Sequence, residues 1–320
     1  MTELKIASDR IYNQLVINSP YIENLSLEYG LTGLSIYFYI DHVVSNRIAS
    51  KEIAERLLSP LERLLLTKAT ALPPGLASAG CGVEYLSQLK LCNNAPVYAL
   101  HQLDFKIFHE IANISSENLN VLITLGKYLK LRYQHVPNAT YLEFLVHLID
   151  KILKFYSKLN NRDYIPSIID IKCLMFLEWC KENSINTFTS EVVINKIEDA
   201  IKSQADYVNP IIKLSWDVCH NQNFGEFNFS KFEFSNDCNQ LKDELALLLL
   251  ISKSTGMYIA KVRTGLMEFI SKTNPVFTSI VGLNKIEPIN YSLNGLAGWG
   301  ILLLSALTDF KDLRWLELFF

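Results

Sequence analysis

Cys219 and His220 are the two side chains of this sequence best suited by type and position to do chemistry. A thiolate and a neutral imidazole are common zinc ligands, and either group can move protons or attack carbon. The two are adjacent, and neighbours on a regular helix point about 100° apart, so a third ligand would have to come from elsewhere. Asp217, Cys238 and His101 are the residues that could supply it. The commoner reading of such a pair is a half-buried cysteine beside a surface histidine in a loop. Trp179-Cys180 ends an apolar helical stretch and reads as core packing. Glu84 and Asp104 could share acid–base work, or could be solvated or cap helices. Tyr133 and the histidines at 101 and 135 have no partner evident in the sequence. There is no GxxxxGK[ST] phosphate loop and no GxSxG nucleophile elbow.

The elements that would position these residues are helices. Leu57-Leu58, Leu61 and Leu64-Leu65 keep three-to-four spacing, as do Leu142, Leu145, Leu148-Ile149 and Ile152-Leu153. Only Asn221 to Asn236, with five closely spaced phenylalanines, suggests short strands or an irregular loop. A glycine-containing turn recurs and each copy runs into an apolar helix. The copies are Gly30-Leu-Thr-Gly33, Gly75-Leu-Ala-Ser-Ala-Gly80-Cys-Gly82, a weaker one at Gly126, Ser254-Thr-Gly256, and Gly295-Leu-Ala-Gly298-Trp-Gly300. Gly30 to Gly75 is 45 residues, and Gly256 to Gly298 is 42. That period suits a helical hairpin of two helices of about 12–15 residues each. Glycines at the start of every inner helix point to helix N-termini crowded around one place, which a closed ring requires and an open solenoid does not. The same glycines would also serve if they only let helices pack closely. With no linker or low-complexity tract, residues 1–320 are expected to form one all-α domain, an α/α toroid of seven inner and seven outer helices with repeats of about 44 residues.

Three segments resemble the lanthionine synthetase C family. Gly75 to Leu86 is similar to its second glycine turn, the Leu103-Asp104 pair falls where one bacterial branch has Leu-Asp, and Asn294 to Leu304 is similar to its last repeat. The resemblance implies an α/α toroid and zinc-dependent addition of a peptide thiol to a dehydrated serine or threonine, closing a thioether ring. Zinc suits that reaction because it stabilises thiolate and keeps one position open for substrate. The implied ligands are a cysteine in a Trp-Cys turn and an adjacent Cys-His in the next repeat, with a fourth-repeat histidine as acid or base.

The sequence departs from that pattern. If Gly256 is the family's turn glycine, Ile251 and Ser252 stand where Cys and His are expected, with Lys253 after them. Asp217 follows Trp216 where the other cysteine belongs, and no histidine lies between His147 and His220. The expectation is therefore a protein with no zinc and no other cofactor, acting as a scaffold that binds a precursor peptide or another peptide-modifying enzyme. One alternative is an active cyclase whose zinc site is rebuilt on Cys219 and His220. Another is an unrelated enzyme using the toroid cavity, which for carbohydrate chemistry would need paired carboxylates.

Bulk properties set limits on partners. The net charge is -3, with 30 basic residues against 33 acidic ones and no basic run, which argues against nucleic acid. No stretch reaches the roughly 18 apolar residues of a membrane span, and Met1 to Arg10 does not read as a secretory signal. Six cysteines without CxxC spacing read mostly as small buried residues of a cytoplasmic protein.

Overall fold

The computed structural model describes residues 2–66, 73–91, 95–159, 164–205, 207–221, 234–235, 238–279 and 295–319. Among them there is no strand. The helices are α1 (Thr2–Asn18), α2 (Leu31–Ser45), α3 (Ile48–Leu66), α4 (Pro73–Gln88), α5 (Ala95–Ile111), α6 (Leu119–His135), α7 (Ala139–Lys158), α8 (Ile168–Glu182), α9 (Thr187–Ser203), α10 (Pro210–Trp216), α11 (Cys238–Thr255), α12 (Ile259–Ser279), α13 (Leu296–Leu307) and α14 (Leu316–Phe319). A π-helical turn, Asp217–Asn221, continues α10. Most of the phenylalanine-rich stretch expected to be strand or loop lies outside the described residues.

The helices differ in how much of their circumference is buried. In α7 the buried residues are Tyr141, Leu145, Leu148, Ile149, Ile152 and Tyr156, a single stripe at helical spacing. α9 buries Val193, Ile194, Ile197, Ala200 and Ile201 in the same way. By contrast α2 is buried without interruption from Leu31 to Tyr39, and α13 from Ala297 to Ala306. A helix apolar on all sides needs neighbours on all sides, and these have them. Each buried leucine, isoleucine or phenylalanine contributes about 1.5–3 kcal/mol on leaving water, which such helices collect over their whole circumference.

The chain, expected as one domain over residues 1–320, divides by its contacts into two compact units. The terminal unit joins Met1–Gln102 to Phe234–Phe319, and the central unit is Leu103–Glu233. In the terminal unit α2 packs on α3, α4 and α13, α1 on α12 and α13, and α11 on α12, α13 and α14. The first hairpin of the chain therefore lies against the last. In the central unit α6 packs on α7 and α8, α8 on α9 and α10, and α7 on α9. In the terminal unit the continuously buried α2 and α13 contact one another, and in the central unit α7 and α9, each buried along one stripe, do likewise.

Candidate functional site

The glycines expected as turns at a common mouth fall into three groups. Gly30 and Gly295 are the N-caps of α2 and α13, as expected. A Cβ at Gly30 would overlap the Asn24 carbonyl, because the entry loop folds back so that the Leu31 N–H reaches Asn24 O at 2.8 Å. That loop is stapled to α4: the Leu27 N–H donates to Ser78 Oγ at 3.0 Å, and Ser78 Oγ donates to Glu28. Gly33 is in the first turn of α2 and Gly75 in the first turn of α4, where a Cβ at Gly75 would meet nothing.

Gly298 likewise is in the first turn of α13. Three of the others lie inside helices, which corrects their reading as turns: Gly80 and Gly82 within α4, and Gly300 within α13. A Cβ at Gly82 would strike Thr32 Cγ2 of α2, and one at Gly300 the Tyr37 ring of α2. These two glycines let neighbouring helices touch. Gly256 corrects the pattern differently. It closes α11 with a φ of 70°, its N–H bonded to Ser252 O at 2.8 Å, a left-handed C-terminal cap.

Of the positions read as replaced zinc ligands, Ile251 and Ser252 are buried in the last turns of α11, and Ser252 Oγ donates to Leu248 O at 2.7 Å. Asp217 is exposed and follows the end of α10.

Cys219 and His220 sit on the π-helical turn, and the structure adds a partner absent from the sequence reading. His220 Nδ1 lies 2.6 Å from Glu178 Oε1, on the last turn of α8, 42 residues away. Lys181 Nζ is 3.5 Å from the other Glu178 oxygen. The buried Trp216 ring lies 5.2 Å from the imidazole, centre to centre. Burial and the Glu178 charge push the Cys219 thiol up to about 11, so at neutral pH it is protonated and not a poised nucleophile. Among the described residues no group of three His, Cys, Asp or Glu side chains could hold a metal. His101 is exposed on α5, and Cys238 is the first residue of α11. Cys180 is buried, its thiol pushed up to about 12 by burial, while Trp179 lies edge-on to Tyr133.

The carboxylates are occupied. Glu84 is buried in α4 and accepts from Gln88 Nε2 at 3.2 Å. Asp104, buried in α5, accepts from the Tyr128 and Tyr141 hydroxyls at 2.6 Å each, and from Arg132 Nη2 at 2.7 Å and Nε at 3.2 Å. Burial and the Asp104 charge raise Tyr128 well above the ordinary tyrosine range, and burial with the Asp104 hydrogen bond raises Tyr141. Asp170 repeats the arrangement with Tyr156 and Tyr164 at 2.6 Å each. These networks hold helices together and leave the carboxylates little capacity for substrate.

No protein-family model, no curated protein and no solved structure matches this chain.

Proposed function

We propose that the chain is a toroid of the lanthionine synthetase C type that binds a precursor peptide, or an enzyme that modifies one, without forming thioether rings. Two features support the toroid: continuously buried helices such as α2 and α13 stand beside helices buried along one stripe, and the first and last hairpins pack together, as ring closure demands. The observation behind the loss of cyclase chemistry is that Ile251 and Ser252, where the resemblance puts Cys and His, are buried in α11 and offer no zinc ligand, with the Ser252 hydroxyl committed to Leu248 O. The peptide would dock at the entry to α2, where Tyr29 is exposed on a loop stapled to α4 and Tyr21 is exposed on the 3-10 turn before it. Aromatic residues held on a stiff loop are common binding anchors. No helix among the described residues is long and apolar enough to cross a membrane, and the cytoplasm is the proposed setting.

A dehydrated, cysteine-containing model peptide tests this reading. Binding should be measurable by fluorescence anisotropy and should weaken in Tyr29→Ala. Free thiol should persist, and purified protein should carry no stoichiometric zinc. A second reading, a cyclase rebuilt on Cys219 and His220, draws on the Glu178–His220 bond, since metal-binding histidines are commonly oriented by a carboxylate. Stoichiometric zinc with ring closure lost in His220→Ala would establish that reading in place of the first.

A further inference from the structure

The outward face of α7 carries a charge pattern that peptide docking at α2 does not use. His147, Lys151, Lys154 and Lys158 follow one another at steps of four, three and four residues. At 100° and 1.5 Å per residue they fall within a sector of about 60° and extend for about 16 Å along the helix. The row lies roughly opposite the buried stripe, and His147, Lys154 and Lys158 are exposed. Of the two acidic residues of α7, Glu143 stands at the start of this face, and Asp150 lies further round and accepts from Asn186 Nδ2 at 3.3 Å. Lys151 is fixed in place: its Nζ donates to Ala112 O at 3.1 Å and Ile114 O at 2.8 Å, just past the end of α5. Lys158 meets Glu117 at 3.5 Å, but the two side chains are 62% and 76% exposed, so the pair is weak and exchangeable. Lys154 and His147 have no ion-pair or hydrogen-bond partner among the described residues. Burial and the neighbouring Lys154 charge lower the Lys151 pKa, as expected of like charges held close together. The whole chain has a net charge of -3, so the row is a local segregation of charge and not a reflection of bulk composition.

We propose that this face of α7 docks an acidic helix of a partner protein, its carboxylates laid along the lysine row. Charge complementarity selects that occupant. Carboxylates at the same four-three-four spacing on a partner helix match the row in period and length. One of them would take Lys154, and another would replace Glu117 at Lys158. A lipid surface fits less well. Three lysines fall short of the clusters of about four to eight that hold proteins to anionic lipid. Val146 is the one large apolar side chain exposed on α7 among the described residues, and it lies about 100° round the helix from the row. The row belongs to a different unit of the chain from the α2 entry, and the inference does not depend on peptide binding there.

The test is fluorescence anisotropy with the full chain and a labelled alanine-based helical peptide carrying four glutamates at the four-three-four spacing. We expect saturable binding that weakens as salt rises. Lys154→Glu combined with Lys158→Glu should weaken it about tenfold or more. Lys154→Gln, which only removes a charge, should weaken it about threefold and serves if the double reversal does not fold. Lys202→Glu, at an exposed lysine of α9 already paired with Glu198, should leave it unchanged. Circular dichroism checks that each variant folds. A peptide of the same composition with its glutamates spread around the helix should bind more weakly, and vesicles of phosphatidylcholine with one-third phosphatidylserine should not retain the protein at the same salt. No binding of the matched peptide, equal binding of the two peptides, or equal losses in the α7 and α9 variants would overturn the proposal. Retention by the vesicles in preference to the matched peptide would overturn it too, and would assign the face to lipid.

Discussion

The terminal and central units begin their more deeply buried helices by different means. In the terminal unit α2 opens on Gly30 and α13 on Gly295, with no side-chain cap. In the central unit α6 opens on Asn118, α8 on a Ser167–Asp170 capping box, and α10 on Asn209 followed by Pro210. Both solutions deal with the unsatisfied N–H groups of a first turn, but they suit different neighbours. A glycine start lets another backbone come close, as Asn24 does at Gly30. A capping side chain satisfies a donor and needs room. The cores follow the same division. Gly82 and Gly300 bring terminal-unit helices into direct contact, while the central unit ties its helices with the buried Asp104 and Asp170 networks. One hairpin pattern can therefore be held by close steric fit in one region and by saturated polar clusters in another.

Breaking the central network should have the largest effect. Asp104→Ala leaves the Arg132 guanidinium buried without its counter-ion, and the expected loss is about 3–5 kcal/mol in urea unfolding. Hydrogen exchange should accelerate first in α6 and α7. A loss confined to the terminal unit would break the comparison.

Alkaline pH strikes the same network. Tyr128 and Tyr141 hold their protons more firmly in the fold than in the unfolded chain. Their contribution is complete below the unfolded tyrosine value of about 10. It is lost as pH rises from there towards the folded values, because the unfolded chain ionises first. Stability should therefore fall with rising pH in that window, and Tyr128→Phe should flatten the slope. An unchanged slope would show that these tyrosines are not what the alkaline limb reports.

Gly300→Ala comes next. Its methyl would press on the Tyr37 ring, and overpacking of this kind costs about 1–3 kcal/mol. Gly75→Ala should have the smallest effect and the opposite sign. Nothing lies within 4 Å of its would-be Cβ, so replacing a helical glycine should gain about 0.5–1 kcal/mol. Equal effects at the two positions would show that close approach does not distinguish the glycines of the terminal unit.

The helices and much of the glycine pattern could be read from the sequence, because apolar spacing and glycine positions are local signals. The glycine pattern fades in the middle of the chain for a physical reason. There α6, α8 and α10 start on Asn118, Ser167 and Asn209, ordinary cap residues that carry no glycine signature. Gly256 misled because one glycine type serves both a tight entry to a helix and a left-handed exit from one; only its φ of 70° separates them. Asp104 was visible as a carboxylate, but its four donors come from Tyr128, Arg132 and Tyr141, which no spacing rule connects to it.

The same division applies to Cys219 and His220. The sequence by itself determined that a thiol and an imidazole stand side by side, and that the chain around them is helical, since both are properties of neighbouring residues. Only the tertiary structure decided that Glu178, 42 residues away, claims Nδ1, that Trp216 braces the ring, and that the thiol is held in its neutral form. Hydrogen bonding, burial and charge act through space, and the contacts that set them are made only when α8 and the turn after α10 are packed together.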